Sequence, residues 1–308
     1  MQRVRLNPAY LFVAPALGLI AVFFLIPAAA SFFLSLTDFD LYALADLANV
    51  RFIGAGNYGA LLRDSLFWVA LRNTLYFVLV AGPLSVALSL AAALLVTSAA
   101  VRLAGLFRTL FFLPVVTSLV AVAVVWRYLY HPRFGLLNYA LALIGIGPLD
   151  WLGDPRLAMP AIILMSAWKN FGFNMVIFMA GLQSIPERLY EAASIDGATT
   201  AQQFWRVTMP MLAPTFVFVG VMTLIGNFQL FAEPYVMTQG GPSHSTLSLV
   251  LYMYEEGFRW WSLGYAAALA FVLLALILSA TALTRLRGLT ALVRRRGEDF
   301  LRASAPPR

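Results

Sequence analysis

The side chains of this sequence best placed for chemistry are polar ones set inside long apolar stretches. Trp168, Lys169, Asn170 and Asn174 fall in one such stretch, and Asn227, Gln229, Phe231 and Glu233 close another. Carboxamides exchange hydrogen bonds with hydroxyl groups, while Trp and Phe rings lie against the apolar face of a sugar ring. On a helix, Asn170 and Asn174 share a face because they are four apart. By the same spacing Asn227 pairs with Phe231, and Gln229 with Glu233. Polar groups at membrane depth are costly, so this set reads either as a solute-contacting patch or as interhelical hydrogen bonding, each bond under about 2 kcal/mol. Lys169 reads as a structural ion pair or as a stem snorkelling toward a polar cavity. A proton-coupling role would need a carboxylate at its own depth, and Glu233 lies nearer the outer edge.

A second group carries binding rather than reaction chemistry. Ser184 precedes Glu187 by three positions, a capping-box start, and Pro186 suits a first helical turn. The helix so opened runs through Leu189, Tyr190, Ala192 and Ala193 to Gly197, the residue type suited to a left-handed stop. Thr200 with Gln203 forms a second capping box, opening a helix through Phe204, Trp205 and Val207 that Pro210 ends. Two short helices joined at a glycine make an object shaped for a partner's groove, or else an amphipathic helix resting on the membrane surface. Glu187, Glu191 and Asp196 disfavour the surface helix, since such helices are rich in Lys and Arg.

Other chemistries are excluded by what is missing. With no cysteine there is no disulfide, thiolate nucleophile or Cys-held metal, and His131 and His244 lie far apart in sequence. They read as solvated outer-loop residues. No Gly-x-x-x-x-Gly-Lys-Ser/Thr loop, His-Glu-x-x-His or Gly-x-Ser-x-Gly occurs, so no catalytic residue, metal site or nucleotide cofactor is expected in this chain. The formal charge of +7 does not indicate nucleic acid, because seven arginines crowd after residue 284.

The elements that must position these residues are membrane helices. Of 308 residues 61% are hydrophobic and 11% charged, against about a quarter charged in soluble domains. Stretches free of charge and histidine run 6–37, 73–101, 109–126, 207–232 and 260–284, with 157–168 and 170–186 split only by Lys169. A span takes about 20 apolar residues, which predicts an all-α polytopic protein with six transmembrane helices near 10–36, 70–97, 107–130, 157–182, 213–236 and 262–284. The run Phe134–Leu149 would make a helix of only about 24 Å and reads as an interfacial or re-entrant piece. With the N-terminus inside, thirteen arginines fall on inner segments and five on outer loops, satisfying the positive-inside rule. The chain thus divides into a cytoplasmic N-terminus (1–9), a membrane domain (10–284) with an inner loop at 185–210, and an arginine-rich cytoplasmic tail (285–308). The first span is expected to be uncleaved, with Pro15 and Pro27 tolerated as helix breaks. Trp260 and Trp261 read as an interfacial aromatic belt, Glu255, Glu256 and Arg259 as loop charges, and Ala303–Arg308 as disordered.

The helix pair also carries a resemblance. Glu191-Ala192-Ala193, then Asp196-Gly197-Ala198, then Pro210 and Pro214 resemble the EAA loop of ABC importer permeases, whose coupling helix docks in a cleft of the ATP-binding subunit. The resemblance implies that Glu191 pairs with a basic group there, that Gly197 permits the turn and that Ala192 and Ala193 allow close approach. Ala9–Pro15, Ser35-Leu-Thr-Asp-Phe39, Phe52-Ile-Gly, Asn57-Tyr58, Arg72-Asn73-Thr74-Leu75 and Thr238-Gln-Gly-Gly-Pro242 resemble the first permease subunit of carbohydrate importers of the maltose and glycerol-3-phosphate group. There Gln239 stands where that group has a third glycine, and Glu233 lies near its usual acid.

The resemblance implies the type I importer transmembrane fold and solute contacts from the fourth to sixth spans. It further implies two ATP-binding cassette subunits holding ATP and Mg, a second homologous permease, an extracytoplasmic solute-binding protein, and the bacterial inner membrane as the site. The rivals are an ion-coupled secondary transporter, which would not need the Glu-Ala-Ala…Gly loop and would carry more intramembrane carboxylates, and a membrane-embedded enzyme, which lacks a catalytic set.

Overall fold

The computed structural model describes residues 8–46, 50–98 and 102–303. The expected N-terminal segment is described only from Pro8, and residues 304–308 of the expected disordered tail lie outside it. The described chain is helical, with the one bridge Thr37–Phe52. Four helices are each long and apolar enough to cross a membrane: Phe12–Ser35, Ser65–Thr97, Ala158–Gln183 and Leu263–Thr284. Two bent pairs, Ala104–Val116 with Leu119–Leu129 and Thr200–Met211 with Ala213–Phe228, raise the number to as many as six when each pair is counted as one span.

The third, fifth and sixth spans differ most from their sequence reading. The third is not one helix over 107–130. It starts at Ala104, breaks at Thr117 and Ser118, and turns by 100°. Pro114 withholds a backbone donor near the break, and Thr117 and Ser118 take extended ψ values of 149° and 130°. The fifth ends at Phe228 instead of running to 236, and Ala232–Met237 is a separate short helix. The sixth helix continues past Thr284 to Ala303, through most of the arginine-rich segment. In the first span no break occurs at Pro27. A π turn, Ala21–Leu25, precedes it, and the Ile26 N–H reaches back five residues to the Ala21 carbonyl.

The run Phe134–Leu149 holds only the eight-residue helix Leu136–Leu143. Asn138 draws the end of the run back onto this helix: its Nδ2 donates to the Leu149 carbonyl (2.8 Å), and its Oδ1 accepts from Leu149 N (3.2 Å) and Trp151 Nε1 (2.9 Å).

The described residues divide into two compact units. The first takes the chain up to Trp68 and Tyr252–Leu274. There the segment after the first span is clasped: Asn57 Nδ2 donates to the carbonyls of Ser35 (2.9 Å) and Thr37 (2.8 Å), and Asp38 pairs with Arg51 at 2.8 Å. Phe32 meets Phe271 edge-on at 5.2 Å. Asp64 accepts hydrogen bonds from the hydroxyls of Tyr252 and Tyr265.

The second unit takes Val69–Leu251 and residues from Ala275. Its core is the fourth span, Ala158–Gln183, which is hydrophobic almost all round and buried on most faces. Ile162 and Met165 of its first half cluster with Phe77, Ala81, Val122 and Tyr130, and Met175 and Phe178 of its second with Ala93, Val96 and Val219. Asn73 Nδ2 donates to the carbonyls of His244 (2.8 Å) and Leu247 (3.0 Å), and Thr74 Oγ1 accepts from Leu249 N (2.9 Å). The Arg72–Leu75 motif therefore anchors the turn after Thr238–Pro242. In that turn Gln239 takes φ +50°, a left-handed conformation that glycine adopts without steric cost.

Candidate functional site

A cavity of about 560 Å³ lies within the second unit. Its walls come from the second span (Phe77, Ala81, Ser85), both sides of the third-span elbow (Val115, Leu119), the fourth span (Ser166, Asn170, Phe173, Asn174) and the fifth with its continuation (Met222 to Glu233). Of the sequence-singled residues, Asn170, Asn174, Asn227, Gln229 and Phe231 line it. Trp168 does not. It stands 40% exposed against Trp126, with ring centroids 5.5 Å apart. Two helical positions separate it from Asn170, a rotation of about 200°.

The two face pairings expected on the fifth span do not arise, because the helix ends before Gln229. Instead the chain turns there, and Asn227, Gln229, Phe231 and Glu233 all reach the same cavity. Within the lining, Asn170 Nδ2 donates to Ser166 Oγ (3.2 Å) and Asn174 Nδ2 to Thr223 Oγ1 (3.0 Å). Glu233, 8% exposed, lies on the same lining as Ser166. Asn227 Nδ2 and Ser85 Oγ are buried without a hydrogen-bond partner among the described residues. Ser85, Ser166 and Thr223 escaped sequence reading, since small hydroxyl residues inside apolar helices commonly bond their own backbone.

Lys169 is neither in an ion pair nor snorkelling. It is 7% exposed, and its Nζ donates to the carbonyls of Pro114 (3.1 Å), Val115 (3.4 Å) and Thr117 (3.1 Å). These carbonyls lie where the first half of the third span stops, at the negative end of its dipole, and that of Pro114 also accepts from Thr117 Oγ1 (2.6 Å). The neighbouring Gly172 permits this approach, because a Cβ there would collide with the Phe111 carbonyl.

The second feature is the helix pair between the fourth and fifth spans. Glu187–Ile195 ends in a Schellman arrangement: Ala198 N donates to the Ala193 carbonyl (2.9 Å) and Gly197 N to that of Ser194 (3.0 Å), with Gly197 at φ +76°. Neither capping box sits where the sequence suggested. Ser184 donates to the Gly181 carbonyl at the end of the fourth span, and Pro186 is the N-cap. The second box is one residue earlier, with Thr199 and Gln202, while Gln203 bonds Ser194 Oγ (2.9 Å). Pro210 does not end the second helix either. Helical turns continue through a π segment, Phe204–Thr208, and past Pro210 before a 63° bend into the fifth span.

Tyr190 and Thr208 hydroxyls lie 2.9 Å apart and tie the two helices together. The tip presents exposed Glu191, Ala192, Asp196 and Gly197, with Ala193, Ala198 and Pro210 half-buried behind. Ile195 (87% exposed) and Trp205 (66% exposed) flank the same turn, apolar side chains that periodicity alone assigned to no role.

Residues 85–287 match the family described as binding-protein-dependent transport system inner membrane component. The chain belongs to that family. It is the multi-pass inner-membrane permease subunit of an ABC importer, and ATP hydrolysis lies in separate subunits. It is 40% identical over 273 residues to the lactose transport system permease protein LacF of Rhizobium radiobacter, covering 87% of this chain and 89% of that one. The sn-glycerol-3-phosphate permease UgpA of Agrobacterium fabrum is 35% identical over 276 residues (89% and 92% covered). The arabinooligosaccharide permease AraP of Bacillus subtilis is 34% identical over 271 (87% and 84%). Among solved structures, the permease fold recurs in a bacterial ABC transporter that imports the acidic polysaccharide alginate, with TM-score 0.73, 25% identity and 90% and 94% of the two chains covered. Membership removes the ion-coupled and enzymatic rivals. An ABC importer permease takes its energy from an ATPase partner and its solute from a binding protein.

Proposed function

We propose that this permease passes a sugar or related polyhydroxylated solute through the cavity bounded by Asn170, Asn174, Asn227, Gln229 and Phe231. The observation that carries the reading is the lining itself: carboxamides and hydroxyls beside Phe77, Phe173 and Phe231, the pairing of groups that holds a sugar's hydroxyls and its apolar face. Relatives named for lactose, arabinooligosaccharides and glycerol 3-phosphate support a polyhydroxylated solute. Trp168 stays outside this set.

In the same reading the helix pair at 185–210 docks on the ATP-binding subunits. Two such subunits hold ATP and Mg, and this chain holds no cofactor. Glu191 meets a basic group, Ala192 and Ala193 lie against the partner, and the Asp196-Gly197-Ala198 turn and Pro210 keep the pair bent. Exposed Ile195 and Trp205 support a partner at this tip, since apolar side chains of this size outside lipid favour burial. A second homologous permease completes the path, an extracytoplasmic binding protein delivers solute, and both chain ends face the cytoplasm. ATP closing the ATPase pair drives the spans between outward- and inward-open states.

ATP-driven uptake of labelled sugar by membrane vesicles carrying the complete importer tests both parts. Glu191→Lys or Gly197→Pro is expected to abolish uptake with the permease still in the membrane, and Asn174→Leu to lower it at least tenfold. Undiminished uptake in the first two variants would remove the docking assignment. Undiminished uptake in the third would remove the path.

A further inference from the structure

The cavity carries charge of one sign. Glu233 is the one charged side chain on its lining among the described residues. The nearest cation, Lys169, interacts with Glu233 electrostatically without forming an ion pair; it does not line the cavity, and it commits its ammonium to three carbonyls at the third-span elbow. Ser166, on the same lining, accepts from the Asn170 amide. A carboxylate has about four acceptor positions, which gives Glu233 capacity to accept from a solute. Ser85, only 4% exposed, and Asn227 Nδ2 bring buried polar atoms without a protein partner to the same lining. Buried polar groups are normally satisfied, so these two are placed to bond something that enters.

We propose that Glu233, Ser85 and Asn227 form a polar subsite for hydroxyl or amino groups of the solute, and that Glu233 restricts the cavity to neutral or amino-bearing saccharides. A carboxylated or phosphorylated sugar would bring a second negative charge beside a buried carboxylate, with no lining cation to offset it. Like charges brought together out of water are a strong means of rejecting the wrong ligand. This inference rests on the cavity being the solute path.

The experiment uses the purified permease–ATPase complex without its binding protein. Saturation-transfer NMR measures contact of two neutral disaccharides, lactose and maltose, and of their aldonates, lactobionate and maltobionate. For the wild type, at least one neutral sugar is expected to make contact, with its aldonate about tenfold weaker or more. Glu233→Gln, nearly isosteric, should bring the aldonate within about threefold of the neutral sugar. Glu233→Asp, which keeps the charge, should retain the rejection. Ser85→Ala should weaken the neutral sugar several-fold and leave the ratio between sugar and aldonate alone. Equal contact of sugar and aldonate on the wild type, or rejection that persists in Glu233→Gln, would overturn the charge rule while leaving the path intact. Absence of contact by every probe on every assembled complex would remove the solute path, and this inference with it.

Discussion

Lys169 Nζ lies 3.1 Å from the carbonyl of Thr117 and 3.1 Å from that of Pro114, so a cation of the fourth span closes the broken end of the third. The three-donor ammonium meets a helix C-terminus, where unpaired carbonyls and the dipole both favour positive charge. Lys169→Met would remove the ammonium from those carbonyls, leaving Pro114's with the Thr117 hydroxyl alone. We expect it to destabilise the complex by about 2 kcal/mol, with Lys169→Arg, which keeps charge and donors, losing less. Thermal unfolding of the detergent-purified complex measures both.

Gly172 sets how closely the same two spans approach. A methyl group at this position would run into the Phe111 backbone, which cannot rotate away as a flexible side chain would. Gly172→Ala should therefore cost about 2 kcal/mol, as overpacking does. Gly220→Ala provides the contrast, since a Cβ there meets nothing within 4 Å. The same unfolding measurement should find that variant unchanged or slightly more stable.

At Gly197 the constraint is conformational. Its φ of +76° lies in the left-handed region, where a residue with a Cβ costs about 1–2 kcal/mol. Nothing lies within 4 Å of a Cβ there, so Gly197→Ala tests backbone strain without a clash. Under the docking assignment, uptake by vesicles should fall several-fold at unchanged membrane level. Gly197→Asn, a residue tolerant of this region, should fall less.

Asp64 and Glu256 give the first unit opposing pH dependences. Burial raises the Asp64 pKa, but hydrogen bonds from Tyr252, the Leu66 backbone and Tyr265 outweigh it and hold the value below 3.8. Its ionised form is thus favoured on folding. That stability is present above pH 3.8 and is lost as pH falls through the lower folded value. Glu256 is pushed above 4.5 by burial and then by the Asp64 charge, so its ionisation costs stability as pH rises past 4.5. Tyr252→Phe should lower stability by about 1–2 kcal/mol near neutral pH, with the gap closing toward about pH 3. Glu256→Gln should stabilise at about pH 7 and not at about pH 4. Unfolding temperatures over that range, in an acid-tolerant detergent, check the two signs.

The amino-acid sequence by itself determined the features that solvent and neighbouring residues dictate. Apolar runs with no charge demand lipid, and runs of about 20 residues fit a spanning helix where a barrel strand needs only about half that, so the all-helical class and up to six spans were legible. Gly197 as a left-handed stop was legible too, because a Schellman turn is made from contacts within about six residues. So was the placing of Asn170 and Asn174 together, which needs only the helical repeat.

Only the tertiary structure decided which groups meet across distance. Pro114 is visible in the chain, but not that Lys169, 55 positions later, donates to the Pro114 and Thr117 carbonyls at the 100° elbow beside it. Helical periodicity placed Gln229 and Phe231 on different faces, whereas the helix stops at Phe228 and both turn into one cavity. The capping residues moved to Pro186 and Thr199 because Ser184 found the Gly181 carbonyl and Gln203 found Ser194. Trp168, two residues from Asn170, turned to Trp126 instead of the cavity. Each of these outcomes depends on where a free carbonyl, hydroxyl or ring lies in space once the helices have packed, and local spacing does not encode that position.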